Sequence, residues 1–266
     1  MEHDNLIEQT LFEAASNAGA IQMHHFKSKI ASAKKESISS IVTQVDHQCD
    51  ETIISLLLKQ FPDYNTLSEE NGFIDKQSKF TWVIDPLDGT SNYVAGIPWF
   101  GILIALFEGN SPLYAGAYLP ASKDFYFAKK GGGAYLNRKR LTLAPQQLSQ
   151  TLFAFSTDST TDELYLNLGI TFYKYLTQNC RNVRSTNSLL DMLYVADGKF
   201  GGCVNLFTKI WDIAAPYLIV TEAGGVMLDL SMKPLNFDCS PMNIDKNYGI
   251  VAAQSNHMID ELKQLL

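Results

Sequence analysis

Two aspartates, a proline, a glycine and a threonine are packed into Asp85-Pro86-Leu87-Asp88-Gly89-Thr90, directly after the aromatic and β-branched run Phe80-Thr81-Trp82-Val83-Ile84. That run reads as a buried strand ending at Asp85. Any fold built on this segment must therefore bring two acids to the end of a buried element. Carboxylates leave water at high cost unless a cation or hydrogen-bond donors compensate them. Carboxylate and carbonyl oxygens are the donors that a hard divalent cation such as Mg2+ selects.

The rest of the chain can supply such a fold. With 266 residues, 46% hydrophobic and 18% charged, it is long enough for one large domain or two closely packed ones. Ile7, Leu11, Ala14, Ala18 and Ile21 recur at helical spacing, which predicts an opening helix over Asp4–Phe26. Residues 27–40 lose that period and read as a loop. Cys49, Ile53, Leu56 and Leu57 mark a second helix that ends before Pro62. Thr43 is suited to cap it, which places Asp46 in its first turn.

From Asn65 to about Leu143 the texture is β. Leu103–Phe107, Leu113–Leu119 and Asp124–Ala128 read as antiparallel strands joined by tight turns. Gly131-Gly132-Gly133 lacks the Gly-Lys-Ser/Thr ending of a phosphate loop and reads as a hairpin or bulge. After Pro145 the pattern alternates. A strand over Leu152–Ser156 is followed by helices over Asp162–Leu176, Ser188–Ala196 and from Trp211 to a stop at Gly224-Gly225. A strand over Tyr248–Ala253 and a helix from Ser255 close the chain. Residues 1–143 are thus expected to form an α+β subdomain with an antiparallel sheet, and residues 144–266 an α/β subdomain.

Lys and Arg total 21 against 28 Asp and Glu, a formal charge of −7 that argues against nucleic acid as a partner. The four cysteines, Cys49, Cys180, Cys203 and Cys239, form no C-x-x-C pair, so neither a disulfide framework nor a zinc knuckle is expected. No apolar run approaches a membrane span. A soluble, cytoplasmic protein is the expectation.

Three acidic groups carry the chemistry. Glu69 and Glu70 follow Thr66-Leu67-Ser68, where a short strand ends; Asp85 and Asp88 follow the second strand; Asp212 sits beside Trp211 at a helix start. Each alone has an ordinary reading, a solvated turn or a helix cap. Together, Glu69-Glu70, the segment Trp82 to Tyr93, Trp211-Asp212-Ile213-Ala214-Ala215 and Glu222-Ala223-Gly224-Gly225 resemble the inositol monophosphatase family, in its order and at its spacing. Val42-Thr43-Gln44-Val45-Asp46 is similar to a further element of that family.

The resemblance implies a layered α-β-α-β-α sandwich of the sugar-phosphatase type, a homodimer, and Mg2+-dependent, lithium-sensitive hydrolysis of small phosphate monoesters. By the same resemblance, Glu69, Asp85 and the Leu87 carbonyl would hold one Mg2+. Asp85, Asp88 and Asp212 would hold a second, with Asp85 bridging, and a third, mostly hydrated ion would share Glu69. Thr90, Asp46 and Glu69 would be catalytic, and Asp88, Gly89, Thr90 and Asn205 would contact substrate. The physics is consistent: a phosphate dianion is repelled by an acid-lined pocket until metals invert its charge, and paired cations can serve attacking water and leaving oxygen together. Gly89 removes a Cβ that would block the phosphate from the Gly89 and Thr90 N–H groups.

Glu70 reads as an exposed or ion-paired neighbour, Lys35 as a loop lysine over the site or simply a surface one, and Trp211 as packing for Asp212. His24 and His25 lack a ligand-spaced partner. Family members that favour inositol phosphates carry a glutamate seven residues before the second aspartate motif; here Asn205 stands there, and Lys209 lies close by. Inositol 1-phosphate is the leading expectation. Fructose 1,6-bisphosphate, histidinol phosphate, 3′-phosphoadenosine 5′-phosphate and NADP are alternatives within the superfamily, and a regulatory or scaffold protein that keeps the fold is the alternative of another class.

Overall fold

A computed structural model describes residues 2–26, 32–34, 41–144 and 146–263. The chain opens with helix α1 (Glu2–His25), an antiparallel pair β1 (Ser32–Lys34) and β2 (Ile41–Thr43), and helix α2 (Gln44–Gln60). Next come β3 (Asn65–Ser68), β4 (Gly72–Ile74), β5 (Phe80–Asp88), the short helix α3 (Thr90–Val94), β6 (Gly101–Glu108), β7 (Ser111–Leu119), β8 (Asp124–Lys129), β9 (Gly133–Leu136) and β10 (Lys139–Arg140). The remainder runs β11 (Leu152–Ser156), α4 (Glu163–Asn179), β12 (Asn182–Arg184), α5 (Leu190–Ala196), β13 (Gly202–Asn205), α6 (Ile210–Glu222), β14 (Val226–Asp229), β15 (Ile250–Ala253) and α7 (Asn256–Lys263). Strand β1 corrects the reading of residues 27–40 as all loop; Lys35 lies outside the described residues.

Strands β3 to β10 form an eight-stranded sheet in the order β10-β9-β8-β7-β6-β5-β3-β4. It is antiparallel except where β3 runs parallel to β5, with Ser68 beside Ile84. This one parallel pairing sets the chain leaving β3 at Glu69 next to the chain leaving β5 at Asp85. A five-stranded sheet, β12-β11-β13-β15-β14, mixes parallel and antiparallel pairs.

Side-chain alternation explains the layering. In β6, Ile102, Ile104 and Leu106 enter the core beneath α1 and α2, while Leu103, Ala105 and Phe107 enter a second core with α5 and α6. In β15, Ile250 and Ala252 join that second core, while Val251 and Ala253 face a third with α4 and α7. The centres of both sheets are therefore buried on both faces, so central strands such as β5, β6 and β15 read as continuous apolar runs rather than as alternating ones. The result is α1/α2, large sheet, α5/α6, small sheet, α4/α7: the α-β-α-β-α sandwich.

Two polar clamps fix this arrangement. Gly131 and Gly133 adopt left-handed φ of 69° and 90° in the β8–β9 turn, confirming a hairpin. Their N–H groups donate to the Glu222 carboxylate at 2.7 and 2.8 Å, tying the end of α6 to the large sheet. On the opposite face, fully buried Gln22 of α1 donates through Nε2 to the Pro86 carbonyl at 2.9 Å, and Tyr93 Oη donates to the Gln22 carbonyl at 2.6 Å. Pro86 lies inside a strand, where a proline is tolerated at an irregularity. Replacing Gln22 by Leu orphans a buried carbonyl, so the variant should lose roughly 1–3 kcal/mol of stability. Urea unfolding of both proteins measures it.

Candidate metal centre and active site

β5 does not stop at Asp85 but continues to Asp88, with an irregularity. Asp85 pairs with Leu103 and Asp88 with Gly101, so three steps along β5 match two along β6. Residues three apart on a regular strand point to opposite faces. The extra residue is a bulge that brings both carboxylates to one side. There they meet Asp212, in the first turn of α6, and ligand oxygens of Asp85, Asp88 and Asp212 all lie within 4.8 Å of one another.

Each of these carboxylates accepts a backbone N–H with one of its oxygens. Leu87 N donates to Asp85 Oδ1 at 3.0 Å, Leu189 N to Asp88 Oδ1 at 2.5 Å, and Lys209 N to Asp212 Oδ2 at 2.6 Å. Asp85 and Asp88 are buried, and Trp211, 8% exposed, packs beside Asp212. Pro216, four residues on in α6, deprives the Asp212 carbonyl of its usual helical donor.

The electrostatics follow from this crowding. Burial first, then the charges of Glu69, Asp88 and Asp212, hold the Asp85 carboxyl well above the usual carboxylate range. Asp88 is pushed up to about 7 by burial, against the bond from Leu189 N–H and with the charges of Glu69, Asp191 and Asp158 adding to it. Asp212 is raised by burial, then by Asp88 and Glu69. Glu69 is thus drawn into the group electrically, its N–H donating to the Ile84 carbonyl at 3.2 Å. Hard oxygen donors that repel one another at neutral pH fit a divalent cation, and Mg2+ in particular.

Thr90 opens α3 beside the cluster. Its hydroxyl lies 2.9 Å from the Leu87 carbonyl and 3.1 Å from Asp46 Oδ1, and its single proton can satisfy one of them at a time. Asp46 is buried in the first turn of α2, as its position in the sequence predicts. Gly89 has φ 84°, and a Cβ there would lie 2.4 Å from the Trp99 carbonyl. The glycine is therefore required by close packing on the backbone of residue 99, a structural demand separate from the room that a missing Cβ would leave for phosphate.

Asn205 ends β13 opposite Ser156, and its Oδ1 accepts the Phe207 N–H at 3.2 Å. Its Nδ2 has no partner among the described residues. The Lys209 ammonium is engaged by the Asp245 carbonyl at 2.5 Å. The Glu70 side chain is buried, 3.6 Å from His47 Nδ1, an ion-paired neighbour when that histidine is protonated. His24 and His25 pack edge to face, and no group of metal-ligating side chains among the described residues includes them.

Sequence reasoning missed the 186–191 segment. Besides the Leu189 N–H on Asp88, it contains Asp191, which is buried and accepts from Ser156 Oγ at 2.5 Å and Thr186 Oγ1 at 2.7 Å. Asn92 Nδ2, on α3, donates to the Thr186 carbonyl at 2.9 Å. The acidic first turn of α5 was the one local signal of this support.

The chain matches the inositol monophosphatase family over residues 4–264. A fructose-1,6-bisphosphatase/inositol-1-monophosphatase of Aquifex aeolicus is 34% identical over 210 residues, 75% of this chain and 78% of that one. A Nus factor SuhB of Pasteurella multocida is 35% identical over 199 residues, 74% of each chain. The crystal structure of the extragenic suppressor protein SuhB from Bartonella henselae superimposes with a TM-score of 0.86 at 26% identity, covering 98% of both chains. This chain belongs to the inositol monophosphatase family, whose members depend on Mg2+. Among the described residues, no helix is long and apolar enough to cross a membrane.

The raised carboxyls link stability to pH. Asp88 titrates near 7 when folded against a reference of 3.8, so the folded state holds its proton more tightly. Its stabilising contribution is complete below about 3.8 and is lost as pH rises through about 7. Chelated protein should therefore melt at progressively lower temperature between pH 5 and pH 8. Added Mg2+ should raise the melting temperature more at pH 8 than at pH 5, a trend scanning calorimetry can test.

Proposed function

We propose that this chain is a Mg2+-dependent phosphatase acting on a small phosphate monoester, with inositol 1-phosphate the first substrate to test. The observation that carries this reading is the convergence of Asp85, Asp88 and Asp212 within 4.8 Å, next to the Thr90–Asp46 hydrogen bond. Glu69, Asp85 and the Leu87 carbonyl would hold one ion, and Asp85, Asp88 and Asp212 another, with Glu69 also serving a third. When bound, Mg2+ supplies Lewis-acid polarisation of the attacking water and of the phosphoryl oxygens.

The protein's own groups supply orientation and proton handling. Thr90 Oγ1 accepts a hydrogen from the attacking water, which aims the water's lone pair in line with the leaving alcohol. Asp46, bonded to the same hydroxyl, receives the Thr90 proton as the water's proton moves to Thr90, so no charge is left on the hydroxyl. Asp88 and the Gly89 and Thr90 N–H groups contact the phosphorylated end, and Asn205 Nδ2 donates to a hydroxyl of the alcohol. No serine or cysteine nucleophile is needed. The homodimer implied by family resemblance is supported by apolar side chains left open on α4, Leu164 at 73% and Ile170 at 66% exposed.

A second reading is favoured by the relatives named Nus factor SuhB: a regulator that keeps the fold and acts by binding a partner. Phosphate release from a panel of monoesters, with and without Mg2+, separates the two. Under the phosphatase reading, Asp85→Asn and Thr90→Ala should each lower kcat by at least about 10²-fold while circular dichroism stays native. Turnover within a few-fold of wild type at saturating Mg2+ would remove either residue from its role.

A further inference from the structure

Asp158 lies two residues beyond the end of β11, whose last residue, Ser156, pairs with Asn205. Its Oδ1 accepts Asn187 Nδ2 at 3.0 Å, and its Oδ2 has no hydrogen-bond partner among the described residues. Asn187 adopts a left-handed φ of 48°, a conformation asparagine tolerates, and its N–H donates to Ser156 Oγ at 3.1 Å. Two residues further on, the Leu189 N–H grips Asp88. Asp158 is thus one hydrogen bond from a loop fixed at its other end to the acid cluster, and it borders the strand end that presents Asn205.

Asp158 stands outside the group that could share an ion, yet its charge is felt by both Asp88 and Asp212. No cation offsets it: among the described residues it takes part in no ion pair, the Lys209 ammonium is engaged by the Asp245 carbonyl, and Arg184 Nη1 donates to the Val183 carbonyl at 3.0 Å. Such a half-buried carboxylate accepts hydrogen bonds and repels anions.

We infer that Asp158, held by Asn187, is a specificity-determining residue: its carboxylate borders the alcohol side of the phosphate pocket, selects a leaving alcohol rich in hydrogen-bond donors, hydroxyl or ammonium, and rejects one bearing a second phosphate. The inference rests on the phosphatase reading and narrows it toward monophosphates.

The test measures kcat and KM at saturating Mg2+ for inositol 1-phosphate, histidinol phosphate, fructose 1,6-bisphosphate and p-nitrophenyl phosphate. The last has neither donors nor a second phosphate, so it reports the chemistry alone. Wild type should prefer the first two to the bisphosphate. In Asp158→Asn, verified as folded by its melting curve, the ratio of kcat/KM for bisphosphate over inositol 1-phosphate should rise by about tenfold, chiefly through KM. Asn187→Gly keeps the left-handed backbone and releases Asp158, and should shift the ratio the same way by less. A greater KM loss with histidinol phosphate than with inositol 1-phosphate assigns the contact to ammonium; the reverse assigns it to hydroxyl. A ratio within twofold of wild type in both folded variants overturns the role of Asp158 while leaving the phosphatase reading intact. Absence of Mg2+-dependent release from all four esters by wild type, p-nitrophenyl phosphate included, defeats that reading and the inference together.

Discussion

The mutual repulsion of Asp85, Asp88 and Asp212 is the constraint around which this molecule is organised. Three carboxyls crowded within 4.8 Å, largely withdrawn from water, oppose folding whenever they are charged. Backbone N–H groups from Leu87, Leu189 and Lys209 offset part of that cost. They come from the bulge itself, from the start of α5 and from the start of α6, so the support is spread over two layers of the sandwich.

The architecture serves that convergence. The parallel β3–β5 pair sets the exits at Glu69 and Asp85 side by side, and the β5 bulge turns Asp88 to the side of Asp85. α6 packs on the large sheet, clamped at its far end by Glu222 on the β8–β9 turn, and presents Asp212 from its first turn. Rigid elements on each side hold the acids at separations that side-chain repulsion alone would widen. The Gln22 bond to Pro86 anchors the bulge from the opposite face, and the bond from the Leu87 N–H to Asp85 holds the peptide that carries the Leu87 carbonyl.

Much of this was legible in the sequence, for physical reasons. Asp85 and Asp88 stood out because acids next to a buried apolar run need compensation, Asp212 joined them through the family resemblance, helix periods placed α1 and α2 closely, and the Gly224-Gly225 stop bounded α6. Features depending on distant pairing were not legible. The extension of β5 to Asp88 needs β6 beside it to define a bulge. The Leu189 donor is a backbone group 101 residues from its acceptor, and any side chain could occupy that position. β12, β13 and β14 span only three or four residues, too few for a period to register. Asp158 and Asn187 acquire meaning only when β11 and the 186–189 loop meet.

The N–H bonds to the three aspartates have a consequence for the choice of ion. A carboxylate oxygen that accepts a main-chain N–H keeps a second lone pair for an ion, so such a group can still be shared between cations, but its orientation disfavours chelation of one cation through both oxygens. Calcium, large and satisfied by six to eight oxygens, gains most from two-oxygen ligation, whereas magnesium is content with single oxygens at octahedral corners. In a cluster that could hold either ion, the peptide groups that restrain the acidic side chains would thus favour the smaller one.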